Sequence, residues 1–125
     1  MHITLKLLKR LNACTPQVAI FASTFPEGVE ITEATTYQAA EAGLNLNWLA
    51  TVLFEHSAAV KYLDAVDGYL QSQLEACRVA HSTWVFSEHN KRAYDQYIAR
   101  RKKALETYNR RRSKAFYKTF VQHRR

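Results

Sequence analysis

The chain has 125 residues and a net charge of +7, from 18 basic and 11 acidic side chains. This length is typical of a single domain with a core, and the hydrophobic fraction of 47% is ordinary for a globular protein. Only three glycines and two prolines are present, which disfavours a β-sandwich and favours long helices. We therefore predict an all-α protein and one folding unit. A cluster of short helices over residues 1–56 is followed by one or two long helices over residues 57–125, the last strongly basic.

The charge is distributed unevenly along the chain. Residues 91–125 contain 13 Lys and Arg against two acidic residues, whereas residues 1–90 contain five basic and nine acidic residues. The two parts therefore carry +11 and −4, and such asymmetry is typical of a protein that binds an anionic partner. No apolar run resembles a signal peptide or a membrane span, so the predicted location is the cytoplasm, without membrane binding.

The two cysteines, Cys14 and Cys77, are too few for a disulfide framework. They are predicted to be reduced and buried, as free cysteines usually are. No Cys and His spacing fits a zinc site.

Residues 5–12 predict a short first helix, because leucines recur along one side and Thr4 can cap its start. Thr15 followed by Pro16 predicts the start of a second helix, with Thr15 as the N-cap and the helix ending near residue 23. The predicted buried residues of this second helix are Val18, Phe21 and Ala22.

Residues 25–28 predict a turn, and the alternation over residues 29–31 predicts a short extended piece. Thr32 then starts a third helix, with Glu33 in its first turn and Gly43 as the residue that ends it. Either of two asparagines can cap a fourth helix. Its helical positions include Trp48, Leu49, Val52 and Leu53.

Apolar residues at steps of three or four predict a fifth helix of about 25 residues, starting at residue 58 with Ser57 as its cap. Residues 83–86 are β-branched and aromatic, a poor helix interior, so we predict a kink or break there and a new helix capped by Ser87. The alternative is one continuous helix from Ala58 onward.

The last segment repeats every 11 residues, with Ala93, Ala104 and Ala115 in equivalent positions. This period suits a nearly straight helix, predicted over residues 91–125. Its apolar stripe comprises Tyr94, Tyr97, Ile98, Leu105, Tyr108, Phe116 and Phe120. The same stripe also contains Arg101, Arg112 and His123, one in each repeat. The long stems of the two arginines can pack while their charged ends reach water.

The first half contains Ala13-Cys14, Gln17-Val18, Phe21, Phe25-Pro26, Gly28-Val29 and, further on, Trp48. Over residues 5–63 this run resembles a group of short uncharacterised proteins of tailed phages and prophages. The resemblance implies a bacterial cytoplasm during infection or lysogeny as the setting. It transfers no activity or functional residue, because none is established for the group. The tail departs from the pattern, since Arg and Lys occur where the group is rich in Ala and Glu.

No combination of residues predicts an enzyme, a cofactor or a metal site. The Glu55-His56 and Glu88-His89 pairs are sequence neighbours, which do not face one another on a helix. The three glycines are isolated and form no phosphate-binding loop.

The strongest functional signal is a set of basic and aromatic residues in the last helix. Cations neutralise phosphates, and aromatic rings can stack on unpaired bases, so the set predicts a nucleic-acid contact. The predicted binding residues are Tyr97, Arg100, Arg101, Lys102, Lys103, Tyr108, Arg110, Arg111, Arg112 and Lys114.

The leading hypothesis is a non-enzymatic phage accessory protein that binds nucleic acid or a host nucleic-acid-handling machine. One alternative is a counter-defence inhibitor that docks on an acidic surface of a host defence enzyme. Another is a self-assembling structural protein, for example a homodimer paired through the apolar stripe. A basic face that is only solvated, or docked on the acidic body of the same chain, also explains the charge pattern.

Overall fold

The computed structural model describes the backbone of residues 1–86 and 91–123, and the side chains of these residues except 80, 83–86 and 123. In this part of the chain, six helices accompany one pair of very short strands, which confirms the predicted all-α architecture. In chain order the elements are β1 (His2–Ile3), α1 (Leu5–Arg10), α2 (Thr15–Thr24), β2 (Val29–Glu30), α3 (Glu33–Glu41), α4 (Leu46–Leu53), α5 (His56–Phe86) and α6 (Lys91–His123). None of the described helices is both long enough and apolar enough to cross a bilayer.

Several predicted helix ends are confirmed by their hydrogen bonds. The Thr4 hydroxyl accepts a hydrogen bond from the Leu7 amide at 3.1 Å at the start of α1. Thr32 caps α3 in the same way, accepting from the Thr35 amide at 3.1 Å. Gly43 follows the end of α3 with a φ of +91°, a left-handed conformation that glycine adopts without steric cost.

The predicted cap of α2 is wrong by one residue. Thr15 is already helical, and Cys14 is the N-cap, with its carbonyl accepting from the Val18 amide at 3.0 Å. Pro16 tolerates this shift because every amide in the first helical turn lacks an intrahelical acceptor, so a missing N–H costs nothing there.

Burial around α2 also differs from the prediction. Cys14 is exposed and Cys77 is half-buried, although both are free thiols as predicted. Phe21 is buried, whereas Val18 and Ala22 are only half-buried. Among the three residues of α2 that were predicted to be buried, only Phe21 therefore belongs to the core.

The extended piece predicted over residues 29–31 becomes strand β2 and pairs antiparallel with β1, a strand that the sequence did not predict. The turn before it closes where the Gly28 amide donates to the Phe25 carbonyl at 3.0 Å. Gly28 has a φ of +84°. Strand β1 has only two residues, too few to show the alternation of apolar and polar positions that indicates a strand. It is identified only by its pairing with β2.

Helix α5 departs from the prediction at both ends. It starts at His56, and Ser57 lies inside the first turn instead of capping it. The predicted division into two helices is confirmed, since α5 ends at Phe86 and α6 begins at Lys91, but the kink or break predicted at residues 83–86 lies too early. β-Branched and aromatic residues each cost no more than about 0.7 kcal/mol relative to alanine in a helix that is already nucleated. The predicted cap Ser87 lies outside the described residues.

Helices α5 and α6 form an antiparallel hairpin, so the alternative of one continuous helix is wrong. The rings of Tyr62 and Phe116 meet at a centroid distance of 5.7 Å near one end of the hairpin. Those of His81 and Tyr97 meet at 5.2 Å near the other end. Later residues of α5 therefore contact earlier residues of α6, as antiparallel packing requires.

The core lies where this hairpin packs on the short helices. The Phe116 ring is 4.9 Å from that of Phe54, which follows α4, and Phe120 is buried beside them. Helix α6 also packs along α3. The C-terminal half of α6 is thus held between α5 and the helical cluster of residues 1–56, while its N-terminal half contacts α5.

Candidate nucleic-acid interface

Six basic side chains of α6 form one exposed face of the helix. They are Arg100, Lys103, Arg110, Arg111, Lys114 and Lys118, and all six are exposed. We call this set the basic row. Positions 100, 103, 110, 114 and 118 are separated by three, four or seven residues, the spacings that bring side chains to one side of a helix. At 1.5 Å per residue the row is about 27 Å long.

The charge of the basic row is not neutralised by any carboxylate in the described part of the chain. Within the described residues, none of its six cations makes an ion pair with a carboxylate. Glu106 is the only acidic residue between positions 100 and 118. Helix α6 therefore packs on the acidic part of the chain while the six cations of the basic row have no carboxylate partner among the described residues.

Two arginines of the row are supported by tyrosines of neighbouring helices. The Arg110 guanidinium lies over the Tyr37 ring of α3, with 5.2 Å between Cζ and the ring centroid. Arg111 lies over the Tyr69 ring of α5 at 5.8 Å. Stacking restricts a guanidinium while leaving its N–H edges able to donate, the arrangement that suits phosphate binding.

A second helix adds one more cation, Lys61, beside the basic row, and we call Lys61 and the basic row together the basic surface. Lys61 of α5 lines the same groove between α5 and α6 as Arg111, Lys114 and Lys118. Among the residues that the structure describes, no carboxylate lines this groove. Four cations from two helices therefore converge there, which favours an anion with several charges over a single carboxylate.

The predicted aromatic residues, Tyr97 and Tyr108, do not offer free rings. Both are half-buried. The Arg101 guanidinium lies 5.7 Å from the Tyr97 ring centroid, and that of Arg112 lies 4.8 Å from the Tyr108 ring centroid. Stacking on unpaired bases would require these cations to move away first.

The remaining predicted cations lie off the basic row. Arg112 is half-buried and donates to the Asn109 side-chain oxygen at 3.0 Å. Arg101 and Lys102 are exposed, but both line a different groove of the hairpin, beside Leu74 and Leu105.

Two cations of the surface were absent from the sequence prediction. Lys118 follows Lys114 by one helical turn, so the spacing alone was a sufficient signal. Lys61 precedes Arg100, the first residue of the basic row, by 39 positions in the sequence. No pattern in the sequence indicated it, because its position depends on the pairing of α5 with α6.

No protein-family model, curated protein or solved structure matches the chain. Among the residues that the structure describes, no three His, Cys, Asp or Glu side chains are grouped as metal ligands would be. The geometry of the basic surface is therefore the basis for a functional proposal.

Proposed function

We propose that the protein is a non-enzymatic nucleic-acid-binding protein that holds the phosphate backbone of a duplex along its basic row. The observation that carries the proposal is the row itself, six exposed cations on one helix face that are not neutralised by described residues of the chain. A straight row of cations meets several phosphates at once and releases their counterions. The phage resemblance of the first half gives the setting, a bacterial cytoplasm during infection or lysogeny.

A duplex fits this surface better than a single strand does. Proteins that hold single strands usually stack bases on free aromatic rings. Tyr97 and Tyr108 are half-buried beneath guanidinium groups instead. Contacts to phosphates fix position but carry no sequence information, so we expect little base preference.

The test compares two variants that lose the same charge. The row variant carries Arg100→Gln, Lys103→Gln, Lys114→Gln and Lys118→Gln. The control variant carries Lys6→Gln, Lys9→Gln, Arg10→Gln and Lys91→Gln, four exposed cations outside the basic surface. Each set replaces one Arg and three Lys, and Gln is about as good a helix former as either.

Fluorescence anisotropy with a labelled DNA duplex, between about 50 and 200 mM salt, measures the outcome. The row variant should bind at least about tenfold more weakly, and its log–log salt slope should fall by about 3 to 4, at ~0.9 per phosphate contact. The control should retain most of the affinity. Equal losses in both variants would show that only net charge matters and would contradict the proposal.

A host protein with an acidic surface would use the same cations. If the wild type ignores duplex DNA and RNA at low salt, yet retains a host protein after nuclease treatment, the proposal fails. The inhibitor alternative then replaces it.

A further inference from the structure

One groove between α5 and α6 exposes large apolar side chains. Leu74, Ile98 and Leu105 line it and are 52%, 41% and 60% exposed. Leu70 and Cys77 line the same groove and are half-buried. We call these five residues the apolar groove. Large apolar side chains grouped in this way usually mark an interaction surface, since their removal from water is favourable.

The 11-residue repeat shows that the same side of α6 is covered further along the helix. Lys102 and Leu105 are followed 11 positions later by Ser113 and Phe116. Because 11 residues complete about three turns, each pair lies on one side of the helix. Lys102 and Leu105 are exposed, whereas Ser113 and Phe116 are both 1% exposed. The Phe116 ring contacts Phe54 of the helical cluster, so the cluster covers this side one repeat later.

Helix α3 shows which kind of element packs beside α6 within the fold. It lies along α6, and its buried residues are the small side chains Thr36, Ala39 and Ala40. The charged residues of α3 are Glu33 and Glu41, and both are exposed. A short acidic helix with one buried side therefore already packs against the basic helix in this chain.

The charges along the apolar groove favour an acidic occupant. Arg101 and Lys102 line the groove and are exposed, and no carboxylate among the described residues lines it. Neither cation makes an ion pair with a carboxylate in the described part of the chain. Arg101 lies against the Tyr97 ring, which leaves its N–H groups able to donate. Carboxylates of a partner can pair with both cations, whereas a second copy would bring two further cations to the same place.

The length of the groove suits a helix of a few turns. Its lining residues on α6 run from Ile98 to Tyr108, a distance of about 15 Å at 1.5 Å per residue. A helix that lies in such a groove contacts it through apolar residues at positions i, i+3, i+4 and i+7.

We propose that the apolar groove binds an acidic amphipathic helix of another protein. The apolar side chains of that helix enter the groove between α5 and α6, and its flanking carboxylates pair with Arg101 and Lys102. The inference goes beyond duplex binding, because Arg100 and Lys103 of the basic row line a separate groove between the same two helices. The two grooves lie on opposite faces of the hairpin, so one molecule can hold a duplex and a partner helix together.

The test uses two labelled peptides of about 18 residues, or five helical turns. Both carry Leu at the i, i+3, i+4 and i+7 spacings along one side. They differ only at the flanking positions, which are Glu in the acidic peptide and Lys in the basic peptide. Fluorescence anisotropy with the full chain at about 150 mM salt, where distant charges are screened, measures binding. The acidic peptide should bind at least about tenfold more tightly than the basic peptide.

A first pair of variants tests the apolar contacts. The groove variant, Ile98→Gln with Leu105→Gln, removes two apolar side chains without changing the charge. It should bind the acidic peptide at least about tenfold more weakly, because less apolar surface leaves water. The control, Val60→Gln with Val121→Gln, changes two exposed apolar residues outside the groove and should retain the affinity.

A second pair of variants tests the charges. The charge variant, Arg101→Gln with Lys102→Gln, should bind the acidic peptide about threefold to tenfold more weakly, because its carboxylates lose two partners. The control, Lys6→Gln with Arg10→Gln, removes the same charge at exposed positions outside the groove and should bind as the wild type does.

The proposal is overturned if neither peptide binds, if both bind equally, or if the row variant loses the acidic peptide while the groove variant retains it. It is also overturned if sedimentation velocity shows a dimer of the wild type that the groove variant abolishes, since a second copy then occupies the groove. The groove variant should keep the duplex affinity of the wild type. A chain that binds the acidic peptide but no duplex leaves this inference standing and rejects the proposed function.

Discussion

The guanidinium group of Arg112 lies on the Tyr108 ring, with 4.8 Å between Cζ and the ring centroid, on the inner side of α6. One terminal nitrogen donates to the side chain of Asn109 at 3.0 Å, while the buried Nε has no acceptor among the described residues. Arg112 is therefore a structural cation with one unsatisfied donor, although it ends an Arg run whose other two residues, Arg110 and Arg111, are exposed.

Replacing Arg112 by Met should change the free energy of unfolding by no more than about 1 kcal/mol. The substitution loses a cation–π contact worth ~0.5–2 kcal/mol and the hydrogen bond to Asn109, worth about 1 kcal/mol. It also removes an unsatisfied buried donor that costs ~1–3 kcal/mol. Urea denaturation measures the change.

Duplex affinity should distinguish Arg112→Met from Lys114→Met, which removes the same charge from the basic row. The salt slope should fall by about 1 for Lys114→Met and stay nearly constant for Arg112→Met. If both variants lose affinity equally, Arg112 belongs to the interface and its structural role is rejected.

Burial of Tyr62 makes stability depend on alkaline pH. Its hydroxyl lies in the core, where desolvation raises the pKa well above the usual 10.0, against a smaller opposing effect of Arg112. Below pH 10 the tyrosine is neutral in both the folded and the unfolded chain. Above it, the unfolded chain loses the proton first, so the free energy of unfolding should fall by up to about 1.4 kcal/mol per pH unit.

The matched variant for this effect is Tyr62→Phe, which has no proton to lose. Its stability deficit relative to the wild type should shrink as the pH rises above 10, measured by urea denaturation at each pH. Parallel curves for the two proteins would contradict the effect.

The two glycines with positive φ should respond differently to alanine. A Cβ at Gly28 would lie 2.8 Å from the Ile3 carbonyl oxygen and 2.6 Å from Nε2 of His2, whereas a Cβ at Gly43 meets nothing within 4 Å. Both substitutions incur the left-handed backbone cost of ~1–2 kcal/mol. Gly28→Ala should cost at least about 1 kcal/mol more because of overpacking. Thermal unfolding of the two variants checks the order, and equal melting temperatures would show that strand β1 moves aside freely.

Truncating Phe116 to Ala should be among the most damaging changes in the chain. The ring contacts those of Phe54 and Tyr62, so its removal leaves a cavity in the core and should cost about 3–5 kcal/mol. Val121→Ala, five positions later and exposed, should cost less than about 0.5 kcal/mol. Similar losses at the two positions would mean that α6 is not docked through Phe116.

Local signals were sufficient for most elements of the fold. Thr4, Thr32 and Gly43 mark helix ends through their own backbone chemistry, and the repeat predicts α6 through its period. Both kinds of signal act over a few residues, which is why they can be read from one sequence.

The relationships that organise the basic surface are not local. A run such as residues 110–112 distributes its side chains around the helix. Only packing decides that Arg112 points inward while Arg110 and Arg111 point outward. The same is true of Lys61, which reaches the groove only because α5 pairs with α6. The 11-residue period shows that α6 has an apolar side. It does not show which of the three repeats along that side is covered by the helical cluster.

Because Phe116 and Phe120 complete the core, the core can be completed only late in synthesis. During synthesis the N-terminal residues emerge first, at about 5–20 residues per second, and domains tend to fold as they appear. Here the rings that complete the core around Phe54 belong to the last helix. The first five helices therefore leave the ribosome with an open apolar seam beside Phe54, which closes only once Phe116 and Phe120 have emerged.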